Sequence, residues 1–179
     1  HGYGFSGTGL YLPDSADDWY CFYNNLPDVQ PYHDAEVYLD SATDMYRVYA
    51  STCGPSTDKM FLRNDALTDS AGNPVRGIAQ CVSASTFVCD AFWVAVNYAE
   101  IWANTVAHGG DANNLNLNIS KTIRHELGHA AGMWHTPVAG SQAPCGADVT
   151  DTMVQGWVPT SFTYLVYNSH HICHVNDWV

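Results

Sequence analysis

His125, Glu126, His129 and His135 are the residues whose types and spacing could do chemistry in this chain. They sit in H-E-L-G-H-A-A-G-M-W-H, residues 125–135. Histidines four apart on a helix project from one face, so both imidazoles can reach the same metal ion. Glu126 follows the first of them, about 100° round the helix, where its carboxylate can hold a water bound to that ion. Gly132 can take the left-handed conformation that stops a helix, after which a turn brings in His135 as third ligand. A solvated or core histidine pair is the plainer reading, and the bare five-residue pattern does occur by accident. Five fixed positions are harder to meet. With uniform residue frequencies, a chain of this length would match them by chance roughly once in twenty thousand.

The elements that must position these residues are marked less clearly. The first thirty-odd residues are punctuated by Gly, Pro, Asn and Asp and hold an aromatic cluster from Trp19 to Tyr23, which reads as packed loop. Ala35 to Leu39 and Met45 to Ala50 alternate or run apolar and read as strands. Leu62 to Pro74 is polar and turn-rich. Ile78 to Val82 and the β-branched run Phe87 to Tyr98 follow as strands, and Ala99 to Val106 would prolong the second or form a short turn. His108 to Asn116 reads as a Gly/Asp/Asn loop, with Ser120 as N-cap of the motif helix. No repeats, low-complexity tracts or linkers interrupt the chain, so 179 residues make one domain, 1–179, built as two lobes around a cleft.

Composition bounds the setting. A hydrophobic share of 46% is ample for a core, and no apolar run approaches the length of a membrane span. A chain beginning at His1 reads as a mature product after signal-peptide removal. Six cysteines without a C-x-x-C pair favour disulfides and an oxidising compartment, hence secretion. Closeness in sequence favours Cys81–Cys89 across neighbouring strands, with Cys21–Cys53 and Cys145–Cys173 as the remaining guess. A net charge of −12, from fifteen Asp and three Glu against six Lys plus Arg, argues against nucleic acid and anionic membranes as partners. The aspartate groups Asp14, Asp17, Asp18 and Asp40, Asp44 could bind calcium but fit no EF-hand spacing.

In Asp151-Thr152-Met153-Val154, Met153 lies eighteen residues past His135 and is the only methionine downstream of the histidine motif. With the H-E-x-x-H-x-x-G-x-x-H pattern, this resembles the metzincin clan of zinc endopeptidases, which place a methionine turn beneath the zinc. The specific matches lie within about Ser120–Met153. S-K-T-I-R-H-E-L-G-H and the closing segment Tyr167 to Asn176 also look like small secreted metzincin-like proteins of actinobacteria. The resemblance implies an α+β single domain. A twisted mixed sheet and the active-site helix would form an upper lobe (1–132), and a small, mostly irregular lower lobe (133–179) would hold the methionine turn and end in a helix. It implies one Zn2+ on His125, His129 and His135, with Glu126 as general base for a zinc-activated water attacking a peptide bond. The substrate would be a protein or peptide paired with a strand edge, from Ile78–Val82 or Cys89–Val94, and the enzyme a secreted monomer. Trp157, Val158 and Pro159 follow the methionine where metzincins wall the primed-side pocket, although Trp157 suits plain core packing equally.

Departures from the clan's subfamilies leave this chain in none of them. Thr136 follows the third histidine where astacins carry Glu, Gln155 stands where astacins and serralysins carry a zinc-bound tyrosine, and His135 stands where snapalysins use Asp. The other histidines have ordinary readings: His170, His171 and His174 as capping or core residues of the last helix, His33 and His108 as surface. Asn118-Ile119-Ser120 is a glycosylation sequon. Two rival classes remain. One is a catalytically silent binding protein stapled by zinc, against which the intact Glu126 argues, since a structural site has no use for it. The other is a copper-dependent polysaccharide oxygenase, because His1-Gly2-Tyr3 resembles the copper-holding N-terminus of that class, but it leaves 125–135 unexplained.

Overall fold

A computed structural model describes residues 12–23, 25–85, 88–135, 151–157, 162–177 and 179. Six strands are present: β1 (Leu12–Pro13), β2 (Asp17–Phe22), β3 (Tyr46–Tyr49), β4 (Lys59–Arg63), β5 (Gly77–Ser85) and β6 (Val88–Val96). The helices are α1 (Gln30–Ala42), α2 (Tyr98–Ala107), α3 (Ala112–Ala130) and α4 (Ser169–Asn176). Strands run in the spatial order β3-β2-β4-β6-β5, with β1 pairing the start of β6. Every pairing is parallel except β5 with β6. The architecture is thus mixed α/β, a mostly parallel sheet with four helices.

The core lies where this sheet meets α1 and α3. Alternate residues of the central strands (Tyr20, Phe61, Phe92, Val94, Val96) face Tyr32, Ala35 and Leu39 of α1 and Ile123 and Leu127 of α3, all buried. Two disulfides brace the sheet, Cys21–Cys53 and, between β5 and β6, Cys81–Cys89. Cys173 is also disulfide-bonded, and the expected pairing with Cys145 lies outside the described residues. No helix among the described residues is long and apolar enough to cross a membrane.

Several expected elements are corrected. Ala35–Leu39 is the middle of α1, not a strand: Pro31 opens that helix, and the buried Glu36 breaks the apolar pattern by which it would be recognised. The aromatic stretch expected as loop is β2, paired on both sides. Ala99–Val106 is helix α2, capped by Asn97, whose side chain accepts from Glu100 N at 2.9 Å. The N-cap of the motif helix lies nine residues earlier than Ser120. It is Asp111, accepting from Asn113 N and Asn114 N while the Asn114 side chain accepts from Asp111 N. Asn118, the sequon's asparagine, is buried inside that helix and donates to Asn114 O. His33 is half-buried against the Tyr20 hydroxyl at 2.8 Å, not at the surface, whereas His108 is exposed as expected.

Candidate functional site

α3 carries His125, Glu126 and His129 on its buried side, in its last two turns. Its C-terminus closes through two backbone bonds, Gly132 N to His129 O at 3.0 Å and Met133 N to Gly128 O at 2.8 Å, with Gly132 at φ 85°. Only a residue without Cβ takes that conformation at no steric cost, and the reversal brings His135 back to the helix face. The expected role of Gly132 is what the chain uses.

The three imidazoles converge. His125 Nε2 and His129 Nε2 stand 3.2 Å apart, and His129 Nε2 and His135 Nε2 stand 2.9 Å apart. Nitrogens bound to one tetrahedral ion at 2.0–2.1 Å would be about 3.3 Å apart. Tautomers make this more than proximity. His125 Nδ1 lies 2.9 Å from Thr152 O and His129 Nδ1 lies 2.9 Å from Met133 O. Carbonyls only accept, so both Nδ1 atoms carry the proton and, in the neutral rings, both Nε2 atoms present bare lone pairs. Two lone pairs at 3.2 Å repel unless a cation lies between them.

The rings are held neutral. Burial pushes His125 well below the usual histidine range, aided by the nearby Lys121 charge. Burial, with His135 beside it, lowers His129 to about 3, and burial with Lys121 lowers His135 to about 4. The set therefore fits a metal ion that prefers nitrogen ligands, and among the described residues it is the one group of histidine, cysteine or carboxylate side chains so arranged. The aspartates considered for calcium do not assemble. Asp18 is buried against Lys59, and Asp40 pairs with Arg47 at 3.3 Å.

Glu126 sits beside the cluster, where α3 passes beneath β5. Burial raises its carboxyl to about 7, against the pull of Lys121, the Ala79 N–H that it accepts, and Arg76. Gly77 makes the approach possible, because a Cβ there would lie 2.7 Å from both Cγ and Oε1 of Glu126. Among the described residues, β5 has a strand on one side only, whereas β6 is paired on both. Of the two candidate edges, the unpaired one is β5. It borders a cleft of about 750 Å³ that also takes in His125, Glu126, His129 and His135.

Met153 lies beneath the ligand helix, fully buried. Its turn is organised by Asp151, which was quoted in the sequence without a role. Asp151 Oδ1 accepts from Met153 N at 2.8 Å, and Oδ2 accepts from Asn168 N at 2.7 Å and meets His171 Nδ1 at 2.8 Å. That arrangement aims Thr152 O at His125. His170, His171 and His174 are buried in α4, in keeping with core roles. Trp157 lines the cleft rather than the core and stacks on His108, ring centroids 4.4 Å apart and planes 6° from parallel. Pro159, Val158 and His1 lie outside the described residues. Lys121 was overlooked, although its place four residues before His125 puts it on the ligand face. It donates to Val154 O at 2.6 Å and so ties α3 to the methionine turn.

No family model matches the chain, and no curated protein matches it in sequence. Its function rests on what the site can do: three neutral nitrogens that could hold one cation, and a buried carboxyl beside them under a strand with no second partner strand among the described residues.

Proposed function

We propose that this protein is a zinc-dependent endopeptidase of metzincin type, secreted and monomeric, acting on proteins or peptides. The observation that carries the reading is the pair of bare Nε2 atoms on His125 and His129, fixed by carbonyl partners and joined by His135, with Glu126 adjacent. When bound there, zinc would supply Lewis acidity toward a peptide carbonyl and acidify water at neutral pH. The rest falls to the chain. The edge of β5 would pair an extended peptide by strand addition and present its carbonyl to the cluster. Glu126, whose burial raises the proton affinity of its carboxylate, would in its ionised form take a proton from the attacking water and return it to the leaving amine. Trp157, braced on His108, would form one wall of the pocket beyond the cleaved bond.

A zinc-stapled binding protein is the alternative. A purely structural site would give no reason to bury Glu126 at the desolvation cost its raised pKa records. The secreted setting is supported by the disulfides. Digestion of a peptide library by the purified chain, with and without a chelator, tests the proposal. Chelator-sensitive cleavage that added zinc restores is expected. A zinc-loaded chain that leaves the library intact would favour the stapled binder, and copper without zinc on metal analysis would favour the oxygenase.

A further inference from the structure

Arg76 stands immediately before β5, and its side chain lines the cleft that holds Glu126. The chain has six Lys and Arg. Arg47, Lys59 and Arg63 are each in a salt bridge with an aspartate. Arg124 donates to Leu165 O and lies over Tyr38, and Lys121 donates to Val154 O. Arg76 differs from all of them. Its Nη1 is buried with no hydrogen-bond partner, and it makes no salt bridge among the described residues. Glu126 and Glu100 are the acids whose charge it feels. Among the described residues, Arg76 is thus the cation that lines the cleft with a buried N–H group left unbonded, although Glu126 and Glu100 lie near enough to act on its charge. A sheltered donor of this kind is costly unless an acceptor arrives.

Strand direction says from where. β5 runs from Gly77 to Ser85, so a peptide paired antiparallel to its free edge runs the opposite way. Glu126 meets β5 at Gly77 and Ala79. Peptide residues that follow the bond above Glu126 therefore head toward Arg76, which at about 3.3 Å per residue lies one or two positions on.

Resting on the endopeptidase reading, we propose that Arg76 determines specificity by donating to a substrate carboxylate on the first or second residue after the cleaved bond. An Asp or Glu side chain and a free C-terminus offer the same planar acceptor to the guanidinium fork.

Matched peptides separate the sources. One series is amidated and places Asp or Glu against Asn or Gln at each position after the bond. The other keeps neutral side chains and compares a free C-terminus with an amide. Wild type should prefer the carboxylate by about tenfold or more in kcat/KM, mainly through KM, at the first or second position. Titration of the same pairs onto Glu126→Gln protein, without turnover, should show a Kd preference in the same direction. Arg76→Gln should shrink the ratio to within about twofold, and Arg76→Lys should recover part of it. The series showing the preference names the source. Wild-type cleavage without a carboxylate preference, or with one confined to other positions, overturns the proposal even if neither variant folds. So does a preference that survives in Arg76→Gln, or an equal loss on all peptides, which would make Arg76 a support for Glu126. Failure of wild type to cleave any peptide would count against the endopeptidase reading instead, and the titration would still read the carboxylate preference.

Discussion

Met153 Sδ occupies the space that a side chain on Gly128 would need: a Cβ built on Gly128 would lie 2.5 Å from the sulfur and 3.0 Å from Tyr167 Cε1. The glycine between the two helix histidines is thus a seat for the methionine below. Gly128→Ala gains about 1 kcal/mol of helix propensity but forces Met153 and Tyr167 aside, and overpacking costs about 1–3 kcal/mol. Urea unfolding should show a net loss of stability, smaller when Met153→Ala is also present because the two changes share one space. Strictly additive effects would mean that the contact is not a constraint.

Met153 should act through its shape. Met153→Leu should cost under about 1.5 kcal/mol and keep the metal bound, whereas Met153→Ala should cost about 2–5 kcal/mol and loosen the ligands from below. Denaturation and zinc titration on both variants check the ordering. A Leu variant that releases zinc as readily as the Ala variant would contradict it.

The site was far more legible than the fold around it. His125, His129 and Gly132 follow helix geometry, which spacing alone reports, and Met153 was reached through a resemblance carried by one residue type. The helices α1 and α2 were misread because local alternation in A-E-V-Y-L and the apolar run after Phe87 outweighed quieter start signals: Pro31, and Asn97 with Glu100 three residues on. Asp111 and Asn114 were read as loop residues because Asn and Asp usually are, although together they form a capping pair. Nothing local marks the burial of Asp18 with Lys59, the pairing of Asp151 with His171, or the unbonded Nη1 of Arg76. These depend on contacts distant in sequence.

Asp151 should prove as important to the ligands as it is remote in sequence from them. Asp151→Ala would leave Met153 N, Asn168 N and His171 Nδ1 without their acceptor. A loss of about 3–5 kcal/mol is expected by denaturation, with metal affinity down about 10–100-fold as the Thr152 carbonyl loses its aim at His125. Unchanged affinity would separate this turn from the metal site.

Glu126 makes a signed prediction for the metal-free protein. Its folded pKa of about 7 exceeds the ordinary 4.5, so the native state holds this proton more tightly than the unfolded chain does. Below about pH 4.5 both states are protonated and the group is neutral to stability. As pH rises toward 7, only the unfolded chain ionises freely, and the native state loses up to about 3 kcal/mol relative to Glu126→Gln. Urea unfolding of both proteins from pH 4 to 8 should therefore show the variant drawing ahead across that window. Parallel curves would mean that Glu126 is not desolvated as described.

If the histidines hold zinc while Glu126 does the proton work, one measurement reads both: peptide hydrolysis by Glu126→Gln protein whose zinc content is determined on the same sample. One zinc per chain is expected, as in the wild type, with hydrolysis reduced by several orders of magnitude. A variant carrying its zinc and keeping even about a tenth of wild-type activity would contradict that role for Glu126.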